Sequence, residues 1–153
     1  STLFPYTTLF RSTNRFLELF FFRESILPAG FSLPTTYEQM IVSGEMPSIA
    51  PWEFLCMDMA RSLSYYGDML LMFPNSPLIP FSIILDPSEP GDDGYVILAC
   101  FDGSDLSGDP KVRIYDYGRP QISPWEGISY PNFLAWLEDA KKSSQINELE
   151  EIS

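Results

Sequence analysis

Histidine is absent from this chain of 153 residues. That omission removes imidazole general bases, Ser-His-Asp and Cys-His nucleophilic arrangements, and every zinc site that needs a histidine ligand. Cysteine is nearly as scarce. Cys56 and Cys100 each sit in an apolar run with no second thiol nearby in the chain, where a thiol behaves as a small hydrophobe. Reduced thiols and a cytoplasmic location are the expectation. Cationic side chains are few, nine against 21 acidic ones, and the net charge is −12. Nucleic acid and anionic membrane surfaces would repel such a chain, so neither is an expected partner. No apolar run reaches the roughly 18 residues of a membrane span, and no basic-then-apolar signal peptide is evident. Gly-x-Gly-x-x-Gly and P-loop motifs are both missing, which leaves nucleotide binding without support. No cofactor and no metal are expected.

What is present describes a globular chain. Apolar residues make up 45% and charged residues 20%, outside the range of disordered chains. The length suits one domain with one real core. Aromatic residues reach 15%, so rings must supply much of the burial. The excess of carboxylates has two readings: colloidal solubility, or complementarity to a basic partner.

Residues 16–24 are apolar enough for either a short helix or a strand, and periodicity does not decide between them. Pro28 and Gly30 mark a turn. Ser32 is positioned to cap a helix with Pro34 in its first turn, with Leu33, Tyr37, Met40 and Ile41 on one face and Gly44 ending it. Pro51–Leu55 reads as a short extended piece. Asp58 caps a second helix, with Met59, Leu63 and Tyr66 on one face and Gly67 as its stop. Residues 79–85 read as a strand with Pro80 near its start. Tyr95–Phe101 is a continuous apolar run, the pattern of a strand covered on both faces. Lys111–Tyr117 is a third strand. Ser129 and Pro131 open a last helix whose stripe is Phe133, Leu134, Trp136, Leu137 and Ala140, and Lys141 and Lys142 complement its C-terminal dipole. From Ser143 the chain turns polar, as a frayed tail does. Helices, a strand meander and a closing helix define an α+β fold: an antiparallel meander packed against helices.

Charge supplies the most conspicuous local feature. No Lys or Arg occurs from Ser62 through Pro110, an interval holding Asp92, Asp93, Asp102, Asp105 and Asp109. These aspartates fall in the two turns flanking the Tyr95–Phe101 strand. Either they are simply good turn formers, or they form an acidic surface that imitates a phosphate backbone in a basic cleft. The run Asp102–Asp109 does not make a calcium loop, because Leu106 falls on a ligand position and no distal Glu follows. Asp92-Asp93 are adjacent in a turn, where nothing tunes them for acid–base catalysis. Trp52 and Trp125 each follow a proline, a context compatible with partial exposure at a binding surface as well as with core packing. Trp136 lies on a core stripe.

Two resemblances organise the chain further. Thr2–Ser12 matches, residue for residue, the translation of a common sequencing adapter, so residues 1–12 are expected to stand outside the fold and 13–26 to be an uncertain N-terminal segment. Beyond them, four pieces resemble the SUKH superfamily of Smi/Knr-like domains. Leu33-Pro34-Thr35-Thr36-Tyr37 leading to Gly44 is similar to its opening helix, and Ile79-Pro80-Phe81 to the lead-in of its first long strand. Gly94–Phe101 with Lys111–Tyr117 resembles the strands that follow, and Ser129-Tyr130-Pro131-Asn132-Phe133-Leu134 its closing helix. Ser43-Gly44-Glu45 departs from the Gly-Gly or Asn-Gly usual after the first helix. The resemblance covers 27–142, a single SUKH-like domain, and leaves 143–153 as a polar C-terminal tail. It implies a non-catalytic protein-binding role. Bacterial members resemble immunity proteins that neutralise a cognate toxin, often a nuclease; the alternative is a housekeeping scaffold or regulatory domain, and an enzyme using acidic residues ranks third. The implied partner is a protein with a basic surface, and the oligomeric state is left open.

Overall fold

The computed structural model describes residues 26–86 and 95–152. The uncertain helix or strand at 16–24, the adapter-like segment and the turn holding Asp92 and Asp93 lie outside the described residues. Helix α1 (Thr35–Ser43) is followed by strand β1 (Trp52–Phe54), helix α2 (Met59–Met72) and the meander β2 (Leu78–Asp86), β3 (Tyr95–Asp102), β4 (Val112–Asp116) and β5 (Ser129–Tyr130). Helix α3 (Phe133–Ile152) closes the chain. The sheet order is β1-β2-β3-β4-β5, antiparallel throughout, so the α+β class expected from the sequence is the one observed.

Strand β3 is central, and both of its faces are covered. Leu98, Ala99, Cys100 and Phe101 are fully buried, the outcome their unbroken apolar run calls for. Ala99 and Phe101 point into one cluster with Tyr37 and Ile41 of α1 and Phe133, Trp136, Leu137 and Ala140 of α3. Val96, Leu98 and Cys100 point the other way, into a cluster with Met69 of α2, Ile83 and Tyr115. A bulge in β2 lets that strand serve both layers. The register to β3 slips between Pro80 and Ser82, so Ile79 pairs with Phe101 in one layer and Ile83 with Leu98 in the other. Phe81, at the slip, stacks on Phe101 with centroids 4.2 Å apart and meets the edge of Trp136 at 4.8 Å. Tyr37 packs edge-on against Phe101 and Phe133 at 5.2 and 5.3 Å. Aromatic rings thus fill the layer where α1, α3 and the sheet meet.

Four local expectations are corrected. Helix α1 begins after Pro34, which is its N-cap, and not at Ser32; a residue preceding proline is steered to extended backbone, so Leu33 cannot open a helix. Gly44 does terminate it, in the left-handed conformation with φ 76°. Asp58 caps α2 as expected, its carboxylate accepting from the Arg61 amide at 3.0 Å, but Gly67 does not stop the helix. Gly67 has no positive φ, and Met69 continues the buried face to the helix end. Ser129 is drawn into β5 opposite Arg113, and the cap of α3 is Asn132, whose side-chain oxygen accepts from the Ala135 amide at 2.9 Å. The helix then runs unbroken to Ile152, so Lys141 and Lys142 are internal to it and 143–152 is helical rather than frayed.

Candidate partner-binding surface

The turn after β3 is where the acidic residues become visible as structure. Asp102 is buried and its oxygens are occupied: Oδ1 accepts from the Ser104 hydroxyl at 2.6 Å and its amide at 2.9 Å, and Oδ2 pairs with Arg113 Nε at 2.8 Å. Burial alone would push this carboxyl pKa up. Its hydrogen bonds from Ser104 and the Arg113 guanidinium outweigh that and hold it below the ordinary value. Gly103 follows because nothing larger fits; its N–H donates to the Pro77 carbonyl at 2.9 Å, and a Cβ there would strike that same oxygen. Asp105 accepts from the Ser107 and Lys111 amides at 3.1 and 3.0 Å and lies 3.8 Å from the Lys111 ammonium. Asp109 is exposed and accepts from Asn132 at 3.2 Å, tying the turn to the start of α3. Asp102 and Asp105 therefore build the turn, and Asp109 is the one of the three that faces solvent. Among the described residues no group of three or more Cys, Asp or Glu side chains is placed to hold a metal ion.

The two candidate tryptophans are separated by their environments. Trp52 is half-buried at the edge of the α1–α3 layer, its ring edge-on to Trp136 at 5.4 Å, and it belongs to the core. Trp125 belongs to the other side of the sheet. It packs edge-on against Phe73 at 5.1 Å, with the Arg113 guanidinium 5.8 Å from its ring centre. From there a row of rings follows β4: Phe73 to Tyr115 at 5.8 Å, Tyr115 to Tyr117 at 4.9 Å, and Tyr117 to Tyr65 at 6.0 Å. The Tyr117 hydroxyl donates to Asp68 at 2.8 Å, and burial followed by that carboxylate pushes its pKa up. Tyr117 is held protonated, as a hydrogen-bond donor.

At the end of this row lies an open cleft of about 370 Å³ lined by Met72, Phe73, Pro74, Asn75, Ser76 and Trp125. Beside it the last turn of α2 exposes Leu70, Leu71 and Met72, with Leu71 84% exposed. A second cleft of about 330 Å³ lies between α1 and α3, lined in part by Met40, Met46, Leu134 and Lys141. The space between Tyr37, Leu55 and Phe101 is about 20 Å³, room for about one water molecule.

Of the residues singled out from sequence, Trp125 lines the first cleft, Asp109 is exposed apart from it, and Asp102, Asp105 and Trp52 are structural. Asp92 and Asp93 lie outside the described residues. The end of α2 went unrecognised, although Met69-Leu70-Leu71-Met72-Phe73 carries a signal. Consecutive helical residues are about 100° apart, so five apolar ones in a row wrap around the helix and cannot all face one core. Stopping the helix at Gly67 concealed it. Cys56 and Cys100 are buried and unbridged, and burial pushes the Cys100 thiol pKa far up, which leaves it unreactive. No helix among the described residues is long and apolar enough to cross a membrane. Comparison with protein-family models, with curated proteins and with solved structures finds no match.

Proposed function

We propose that the chain is a SUKH-type, non-catalytic protein-binding domain, acting as the immunity factor of a toxin that carries a basic surface. The observation that carries this reading is the pairing of a strongly acidic chain with an exposed apolar and aromatic surface. The net charge is −12, and Leu71, Met72 and Trp125 stand together at the end of α2. The reading is supported by the order in which the four SUKH-like pieces fall, on α1, on β2, on β3 with β4, and on β5 leading into α3. Among the described residues the carboxylates whose acidity is perturbed, Asp58, Asp102 and Asp105, are all shifted downward, for Asp58 by the Arg61 amide first and for Asp102 and Asp105 against burial, which hydrogen bonds outweigh. That is the signature of structural carboxylates, whereas a general acid needs a raised pKa. The reading is tested by co-expressing the chain with the product of the adjacent reading frame. Protection of the host and a stable complex are expected. A scaffold role is the second reading, and binding to a host complex with no protection against any neighbouring gene product would favour it.

A further inference from the structure

We infer that the α2 terminus and the Trp125 cleft form a docking site for a partner segment combining apolar side chains with Arg or Lys. This rests on the protein-binding role proposed above. Apolar contact is supplied by Leu70, Leu71 and Met72, three consecutive exposed residues leading into the cleft floored by Phe73. A monomer gains nothing by exposing Leu71 at 84%, and a run of this kind beside a ring-lined cleft is the composition of an interface centre. The charge of the occupant follows from the carboxylates next to the lining residues Met72 and Trp125. Asp68 lies one helical turn before Met72 on the same face of α2, and Glu126 follows Trp125 in the chain. Neither forms an ion pair among the described residues, and Asp68 is met there by the neutral Tyr117 hydroxyl. Among the described residues, Arg113 lies against Trp125 with its charge already met by Asp102, and Arg119 stands in the turn beyond β4. Glu126 is exposed and Asp68 half-buried, and carboxylates beside aromatic faces select a guanidinium or ammonium, through ion pairing at the rim and cation–π contact inside. A second copy of this chain would bring a like-charged rim to the same place, and an anionic membrane would be repelled.

The test is a titration of the full isotope-labelled chain, followed by amide and indole resonances, with two synthetic peptides. One has alternating Leu and Arg; the other has Glu in place of every Arg. Saturable shifts confined to residues 70–76, 115–117 and the Trp125 indole are expected with the Arg peptide and absent with the Glu peptide. Leu71→Asp is expected to weaken the Arg peptide about tenfold. Because Leu71 is exposed, this change leaves the core intact; Glu126→Gln, also at an exposed residue, provides an independent weakening through the rim. Failure of the Arg peptide to bind, equal binding of both peptides, or indifference to Leu71→Asp overturns the site. The same variants are then tried on the product of the adjacent reading frame. If that product binds wild type and Leu71→Asp equally, the site falls while the immunity reading stands. If it does not bind at all and the Arg peptide behaves as expected, the immunity reading falls and the site stands.

Discussion

Asp102 and Arg113 form the most buried ion pair among the described residues. The Asp102 side chain is 4% exposed, its partner Arg113 is 14% exposed, and both hold donors or acceptors that burial would otherwise leave unmet. Asp102→Asn strands the guanidinium, and removing one member of a buried pair costs about 3 kcal/mol, readable as a shift in denaturant midpoint. The pH dependence has a defined sign. The folded carboxyl titrates below its unfolded value of about 3.9, so its contribution is complete above that pH and lost as pH falls through the lower folded value. The stability gap between wild type and Asp102→Asn is therefore expected to be constant near neutrality and to close in strong acid. A gap that widens in acid would contradict the lowered pKa. Next door, Gly103→Ala forces a Cβ onto the Pro77 carbonyl and is expected to cost about 1–3 kcal/mol as overpacking.

Helices differ in what their sequences revealed. α1 was legible as a helix from Tyr37, Ile41 and Gly44, since an apolar face ended by a left-handed glycine is a local signal. α2 was legible only in its first half, because a mid-helix glycine and a terminal one look alike in sequence. Nothing lies within 4 Å of a Cβ built on Gly67. Gly67→Ala is accordingly expected to stabilise the protein by about 0.5–1 kcal/mol, seen as a raised melting temperature. An unchanged or lowered value would mean that the helix does not pass through this residue. In α3 the stripe was legible, and Trp136 is 1% exposed against Trp52, Phe54, Phe81 and Phe133. Trp136→Ala empties the centre of that layer and is expected to cost about 3–5 kcal/mol; a loss under about 1 kcal/mol would place the ring outside the core.

Across the whole molecule, a net charge of −12 would steer the approach of a basic partner of the kind proposed. Steering raises association rates above the neutral range of roughly 10⁵–10⁶ M⁻¹s⁻¹ and fades with salt. Within the acidic interval, neutralisation should leave Asp102 and Asp105 alone, because both organise the turn. Changing Asp92, Asp93 and Asp109 to Asn is expected to slow association with a basic partner at low ionic strength, with little effect at high salt. Stopped-flow traces at the two ionic strengths measure this, and rates that match wild type at both would remove long-range steering from the mechanism.

The apolar run of β3, the Asp58 cap and the α+β order of elements were determined by local chemistry, which a chain carries wherever it folds. The sequence also determined that much of the core would be aromatic, because rings make up 15% of it and each buries more area than an aliphatic side chain. Which aspartates are surface and which are struts was decided by tertiary structure alone. Asp102 and Asp109 look equivalent along the chain, and only the approach of β4, which brings Arg113 to one and not the other, separates them. The same holds for the tryptophans that follow prolines. Trp52 is taken into the core by α3, whereas Trp125 is left at a cleft by the end of α2, a contact between residues some fifty positions apart that no local pattern encodes.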